Sequence, residues 1–517
     1  MSGEAIQIGP FVGGLNTFSD PTAIADNELV LCDNFELDLD GSLVSRPPIV
    51  NRGITFPLQA TGNINVLGYF YGTGGTRYLL ASDGVSKTWV YTGTWTLVTD
   101  TFAATAMVQF DYKAWLVAPY TGAAAGSRKG GYWTPAGGFV NDNKMPEGDT
   151  IVAHKFRMWI SGGRDSLSNP TRLYYSNALS SPLGLWTAAP DFIDIGAGDG
   201  QAIVRVSVYY NSLVIFRTNS IYSFQFTSDP DSGVTSLLVP NVGLASKDAI
   251  VAWENFIYFI YDDKAYEFVN NRASQINLKV PFESTARAGI YNPYVVSLFS
   301  NRIIYTFWDT VYVFSLRTRT WTTWSSNTHG SIGPLITPVA DVENEEAIAF
   351  SNAWVPSGNT RTAKTLHVTD AVTTETESFV CTAQTKNYNY QTSSAYKRLF
   401  WWGVDAIFNG TVTATAVPVI FNQAVTWTQM LSYTWTQSAN YTWDQPATPG
   451  ADVQTVRNTI GAGAIRKFVK FLKAMRFRQI HYKLVFETDG SISSAPVRLF
   501  ALMTYVKAHE RVSKTVT

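Results

Sequence analysis

The sequence predicts an all-β fold: a β-propeller of six or seven four-stranded blades followed by a β-sandwich. Three observations lead there. Val, Ile, Thr, Tyr, Phe and Trp recur in short alternating runs broken by Gly, Asn, Asp and Pro, and long helical periodicity is almost absent. The runs come in groups that restart every ~40–50 residues, the length of a propeller blade. The chain, at 517 residues, is too long for one core.

Residues 1–60 read as an arm that packs on the first blade or docks on a neighbouring subunit. In PFVGGLNTFSDPTAIADNELVLCDNFELDLDGSLVSRPPIV (10–50), Asp26 is placed to cap a short helix over NELVLCDN, with Leu29 and Cys32 on one side. FELDLDGSLVS then predicts a hairpin with Asp40-Gly41 in its turn. Arg46-Pro47-Pro48 imposes an extended exit, because proline fixes its own φ and restricts the residue before it.

Residues 61–372 carry the blades. In 64–100, NVLGYFYG, TRYLLAS, KTWVYTG and TWTLVTD are four strands joined by turn residues. New units begin near Thr105, Asp149, Gln201, Asp248 and Asn292, and a weaker one near Ser331. Segments such as VYVFSLRTRTWTTW resemble a kelch-style blade. Radial stacking explains why such sheets associate: each blade buries both faces against neighbours and leaves only short edges. A set of β-sandwiches has similar strand spacing.

The texture changes near Thr373, and 373–517 reads as longer alternating strands of a β-sandwich. Its run RKFVKFLKAMRFRQIHYK (466–483) contains no acid. It reads as contact with phosphates or an acidic polymer, or as alternating strands with cations on a solvated or interface face. VTWTQMLSYTWTQSANYTWDQ places Trp427, Trp435 and Trp443 eight residues apart. An even spacing keeps all three on one side of a continuous strand. Such a ladder packs against a neighbouring subunit, fills a core, or stacks on glycan.

Composition narrows the function. The net charge of −1 gives no global field for nucleic acid or an anionic membrane. Charged residues are 15% of the chain, against ~25% in typical globular proteins, while aromatic residues are 14%. That balance suggests a surface largely met by other protein. Two cysteines, Cys32 and Cys381, do not make a disulfide framework. The N-terminus carries no signal-peptide pattern and no run is long enough for a membrane helix, so synthesis in the cytoplasm is expected.

No pattern points to catalysis, a metal or a cofactor. The five histidines lack metal spacing, and no phosphate-binding loop or nucleophile elbow occurs. The glycines of YGTGGTR lack the following lysine and read as a hairpin connection. Asp38 and Asp40 supply too few oxygens for calcium and suit the turn. Asp262-Asp263 and DVENEE (341–346) are the acidic candidates for a polysaccharide-degrading enzyme, by composition alone.

The set Gly13-Gly14, Asp26, Asn34, Gly41-Ser42-Leu43 and Arg46-Pro47-Pro48 resembles the opening of bacteriophage tail proteins. It is similar to the tail nozzle (tail tubular protein B) family of short-tailed phages and to minor tail proteins of long-tailed actinobacterial phages. The resemblance spans about forty residues. It implies a structural virion protein at the nozzle or tail tip, without enzymatic activity. Such a protein would assemble with itself as a trimer or hexamer around the tail axis and with other tail proteins. DNA would pass nearby without specific binding, and host surface glycan would be a further partner. Candidate interaction residues are Trp427, Trp435, Trp443, Arg46, Pro47 and Pro48. The alternatives are a receptor- or glycan-binding tail module and a polysaccharide-degrading tail enzyme.

Overall fold

The structure is a computed structural model. It describes residues 4–47, 49–56, 65–119, 121, 127–162, 170–282, 295–306, 311–325, 336–341, 346–350, 362–367, 380–388, 390, 397–408, 410–419, 453–458, 465–477, 479–487 and 498–508. Among these, the only helical elements are two short 3-10 turns, Thr73–Gly75 and Pro230–Ser232. None is long and apolar enough to cross a membrane.

Seven four-stranded antiparallel units form a propeller, six of them separate sheets and one, the sixth blade, the first four strands of a ten-stranded sheet. Six are continuous in sequence, spanning 65–99, 106–141, 150–194, 203–240, 250–275 and 295–324. They start within a few residues of the positions read from the repeat. The seventh joins Ile336–Asp341, Glu346–Phe350 and Thr362–His367 to Ile49–Thr55 from the N-terminal segment. Thr55 pairs with Thr362 and Ile49 with Leu366, so the ring is sealed by a strand from far upstream. The first strand of the seventh sheet packs against the first strand of the first, closing the circle.

The second strands of the second, third and fourth blades show why the sheets stack. In KAWLV, Ala114 and Leu116 enter the core shared with the first blade, while Trp115 and Val117 enter the core shared with the third. In RMWIS, Met158 and Ile160 face the second blade and Trp159 faces the fourth. In SLVIFR, Leu213 and Ile215 face the third, and Val214 and Phe216 the fifth. Successive residues point to opposite faces, so a continuous apolar run is what a sheet buried on both sides requires. Each fully buried aliphatic or Phe side chain contributes ~1.5–3 kcal/mol. Aromatic contacts across the gaps add to this, for example Phe70 to Trp133 at 5.8 Å and Phe216 to Phe259 at 5.2 Å.

The helix expected over NELVLCDN is absent; Glu28–Asp33 is a β-strand. It runs parallel to the outer strand of the sixth blade, pairing Asp33 with Thr323. On its other edge it runs antiparallel to Val380–Thr385, pairing Cys32 with Ala383. Pairing on both edges satisfies more backbone groups than one helical turn could, and it overrides the local capping signal. The expected hairpin is present: Phe35–Leu37 pairs with Leu43–Ser45 around a turn in which Gly41 has φ 79°.

The C-terminal strands form two sheets. One extends the sixth blade outward through Glu28–Asp33, Val380–Thr385, Gln479–Glu487, Gly410–Val419 and Val453–Asn458. The other contains Ile465–Phe477, Lys397–Phe408 and Arg498–Ala508, and it also takes in Glu4–Ile8, Leu43–Ser45 and Phe35–Leu37 from the N-terminal segment. Their buried residues meet in a common core, with Trp402 5.3 Å from Tyr482 and Phe35 5.7 Å from Phe486. The segments 1–60, 61–372 and 373–517 are therefore hydrogen-bonded to one another, and the first of them joins the other two.

Candidate functional site

The residues that carry the phage-tail resemblance converge on one junction. Asn34, fully buried with φ 56°, stands where the N-terminal segment, the sixth blade and the C-terminal strands meet. Its Nδ2 donates to Val380 O (2.8 Å) and Ser325 Oγ (3.1 Å). Its Oδ1 accepts from Arg46 Nε (2.8 Å) and Ser325 N (2.9 Å). Both donors and both acceptor positions of the amide are used. Its backbone N–H donates to Thr323 O, and its carbonyl accepts from Arg46 N and from Cys381 Sγ. Asparagine tolerates positive φ better than most residues, so this position suits it twice.

Acidic residues of the same segment reach to both sides. Glu28 pairs with Lys279 (2.6 Å) and Glu36 bidentately with Arg302 (2.5 and 2.6 Å), both on the propeller. Asp26 pairs with Lys386 and Asp38 with Arg498, each at 2.5 Å, on the C-terminal side. Planar, two-point recognition makes the half-buried Glu36–Arg302 pair the most specific of these. Burial pushes the Glu28 carboxyl up, but bonds from Lys279, Asn16 and the Ala25 N–H outweigh it and hold it below the ordinary range. Burial raises Asp33 instead, against the pull of Ser325, Thr323 and Arg46.

The structure places the candidate residues named from the sequence as follows. Arg46 is 3% exposed; beyond Asn34, its guanidinium donates to Pro47 O at 2.9 Å. Pro47 is buried, and Pro48 lies outside the described residues. Trp427, Trp435 and Trp443 also lie outside them. Asp38 and Asp40 serve the hairpin turn, Asp40 Oδ1 accepting from Ser42 N and Oγ. Asp262-Asp263 is a two-residue turn with Asp262 paired to Lys264. Asp341 pairs in register with Glu346 across a hairpin whose tip lies outside the described residues. In the basic run, Ile480 and Tyr482 are buried and Lys483 is exposed, the alternation of a strand with one wet face. Cys32 and Cys381 are buried thiols, that of Cys381 donating to Asn34 O, and among the described residues no cluster suits a metal ion.

Sequence reasoning missed the face of the propeller formed by the turns after the first and third strands of each blade. Tyr112, Phe156 and Tyr210 lie in the turns between the first and second strands of the second, third and fourth blades and are 81%, 76% and 65% exposed. Each has positive φ (56°, 59° and 50°), which bulky residues rarely adopt. Beside Tyr210 lies a cleft of about 570 Å³, with Asn211, Gln225, Thr227, Asn270 and Asn271 on its walls. The signal is in the sequence: the pairs Asp-Tyr, Lys-Phe and Tyr-Asn fall in step with the repeat at 111–112, 155–156 and 210–211, where Asn-Gly would fit the turn without strain.

At the opposite end, the propeller axis is occupied. Lys247, preceding the fifth blade, donates to Thr105 O at 3.1 Å, preceding the second. These blades are not neighbours in the ring, so the bond crosses the central channel. Arg205 adds a bond to Lys247 O (2.6 Å), and burial raises the nearby Asp149 carboxyl.

No family model matches the chain, and no curated protein matches it. Among solved structures, it is similar to the extracellular domain of a one-component system from B. thetaiotaomicron (TM-score 0.40, 11% identity, 61% of this chain, 39% of that one). It is also similar to the Pan2 WD40 domain of Neurospora crassa (TM-score 0.38, 8% identity, 59% and 90%). A third is PorZ, a bacterial surface component of the type-IX secretion system of Porphyromonas gingivalis (TM-score 0.37, 12% identity, 66% and 44%). The chain thus spans less than half the length of the first and third of these.

Proposed function

We propose that the chain is a structural subunit of a bacteriophage tail end, at the nozzle or tip, acting as a trimer or hexamer around the tail axis. The observation that carries this reading is the junction at Asn34. Of the residues by which the N-terminal segment resembles tail proteins, Asn34, Arg46 and Asp26 lie where that segment fastens the propeller to the C-terminal sheets, and Gly41 turns the hairpin that separates Asn34 from Arg46. A signature of that kind preserves the angle between two rigid bodies, which is what a ring-forming subunit needs. The low charge content and exposed apolar side chains such as Phe18 and Leu39 also suit a surface covered by other subunits.

On this reading the work is mechanical: shape, ring closure and interface burial. The Lys247–Thr105 bond leaves no room for a nucleic-acid duplex along the propeller's own axis. The conduit therefore lies between copies of the chain. The test is the mass of the purified chain by light scattering, together with peptide mass spectrometry of purified particles. A closed ring and presence in the virion support the proposal. A monomer at every concentration that is also absent from particles sinks it.

A further inference from the structure

The cleft on the turn face has the dimensions of a ligand site, and its chemistry is that of sugar recognition. Its volume of about 570 Å³ falls within the ~300–1,000 Å³ range of small-molecule sites. Asn211, Gln225, Asn270 and Asn271 bring four amides to it from two turns and the end of the strand Ser220–Gln225, and none of their side chains makes a hydrogen bond among the described residues. An amide offers donors and an acceptor side by side, which matches adjacent hydroxyls that both donate and accept. Among the described residues no carboxylate lines the cleft. The cation that does, Lys155, is already committed, donating to Phe226 O and lying 4.7 Å from the Phe226 ring centre. The unengaged groups are therefore polar and uncharged.

Tyr210 supplies the apolar half of such a site. Its exposed ring is held edge-on by Tyr209, with centroids 4.7 Å apart and planes at 80°. Tyr209 is itself pinned: its hydroxyl donates to Asn255 O (3.2 Å) and accepts from Asn270 N (3.1 Å). The platform ring is thus fixed to the same turn that carries two of the amides. Tyr210 also sits at positive φ, where glycine or asparagine would be less strained, and leaves a large apolar surface in water. A strained, exposed aromatic fixed beside unpaired amides suits a ligand that stacks on it.

We propose that this cleft, between the fourth and fifth blades, binds a neutral saccharide. A ring C–H face lies on Tyr210, and its hydroxyls are bonded by Asn211, Gln225, Asn270 and Asn271. Phe156 and Tyr112 continue the aromatic positions onto the next blades, so a polymer can extend along the face. The cleft belongs to the propeller alone, and a chain that never assembles into a ring still carries it.

The test is saturation-transfer NMR of the full chain with chitotetraose and with maltotetraose, both neutral. Transfer to ring C–H protons of at least one sugar is expected. Tyr210→Asn should weaken that binding on the order of ten-fold, the scale of one lost stacking contact. Asparagine accepts positive φ, so this variant should melt no lower than the wild type, and lost binding then reports the lost ring. A second variant, Asn271→Gly, removes an exposed amide at φ 63° without adding backbone strain and should weaken binding too. The proposal is overturned if neither sugar receives saturation, or if Tyr210→Asn binds as tightly as the wild type.

Discussion

Asn34 Oδ1 accepts a hydrogen bond from Arg46 Nε at 2.8 Å, and through that bond a fully buried amide fixes a buried guanidinium. The same amide holds Ser325 of the sixth blade and Val380 of the C-terminal strands. Three parts of the chain that are remote in sequence thus share one side chain.

Asn34→Ala strands the Ser325 N–H and the Val380 carbonyl and takes a partner from Arg46. Leaving buried polar and charged groups unpaired costs roughly 3–5 kcal/mol. Calorimetry should show a lower melting temperature, and limited proteolysis should cut near the junction first. An unchanged melting profile would contradict the role given to Asn34.

Gly41→Ala tests the hairpin turn. Gly41 has φ 79°, and a Cβ there would lie 2.4 Å from Pro10 Cβ and 2.9 Å from Val12 Cγ1. The strain and the clash together cost about 2 kcal/mol or more. The comparison of Gly41→Ala with Gly93→Ala separates the two effects, because Gly93 (φ 107°) has nothing within 4 Å. Gly41→Ala should be the more damaging by thermal melting.

Stability should fall in acid partly through Glu28. Its pKa is lower in the folded chain than in the unfolded one, because its bonds outweigh the burial that opposes them. Its contribution is therefore present above the unfolded carboxylate value of ~4.3 and is lost as pH falls through the lower folded value. Asp33, raised by burial, has the opposite sign: its cost is present at neutral pH and is relieved on protonation. Glu28→Gln should flatten the acid limb of a denaturant-midpoint against pH curve, and a wild-type-shaped limb would refute the assignment.

Tyr112→Asn and Phe156→Asn should stabilise the isolated chain by ~0.5–1 kcal/mol each, because asparagine relieves left-handed strain at exposed turns. Denaturant melts of each variant decide the point. Destabilisation would mean that the rings make folded-state contacts worth more than the strain they impose.

Removing residues 1–55 should open the ring. The seventh sheet loses its fourth strand and the junction loses Asn34 and Arg46. Hydrogen exchange should then be fast in 362–367, the partner of the missing strand, and gel filtration should show aggregates. Native-like protection there would show that three strands suffice.

The blades were legible because their signal is local: alternating apolar runs broken by turn residues put unit starts near Thr105, Asp149, Gln201 and Asp248, within two residues of the strand starts Ala106, Thr150, Ile203 and Ile250. What the sequence hid was long-range. Nothing near Ile49–Thr55 names Thr362–His367 as its partner, so the segment reads only as an extended exit. Glu28–Asp33 carries a good cap and helix-compatible apolar spacing, and only its two pairing edges make it a strand. Asn34 and Arg46 stood out in the sequence only as members of a motif, and their roles became clear only through Asn34's contacts with Arg46, Ser325 and Val380. The turn-face cleft combines residues from three blades, each of them ordinary within its own turn.

The seam of the ring imposes an order on biogenesis. The strand Ile49–Thr55 leaves the ribosome early, yet its edge stays open until Thr362–His367 has been translated. Six blades can mature while the nascent chain grows, but the circle snaps shut only once the strand ending at His367 has emerged. A pause or truncation before that point yields an open arc with a sticky rim, the form that chaperones and proteases would be the first to meet.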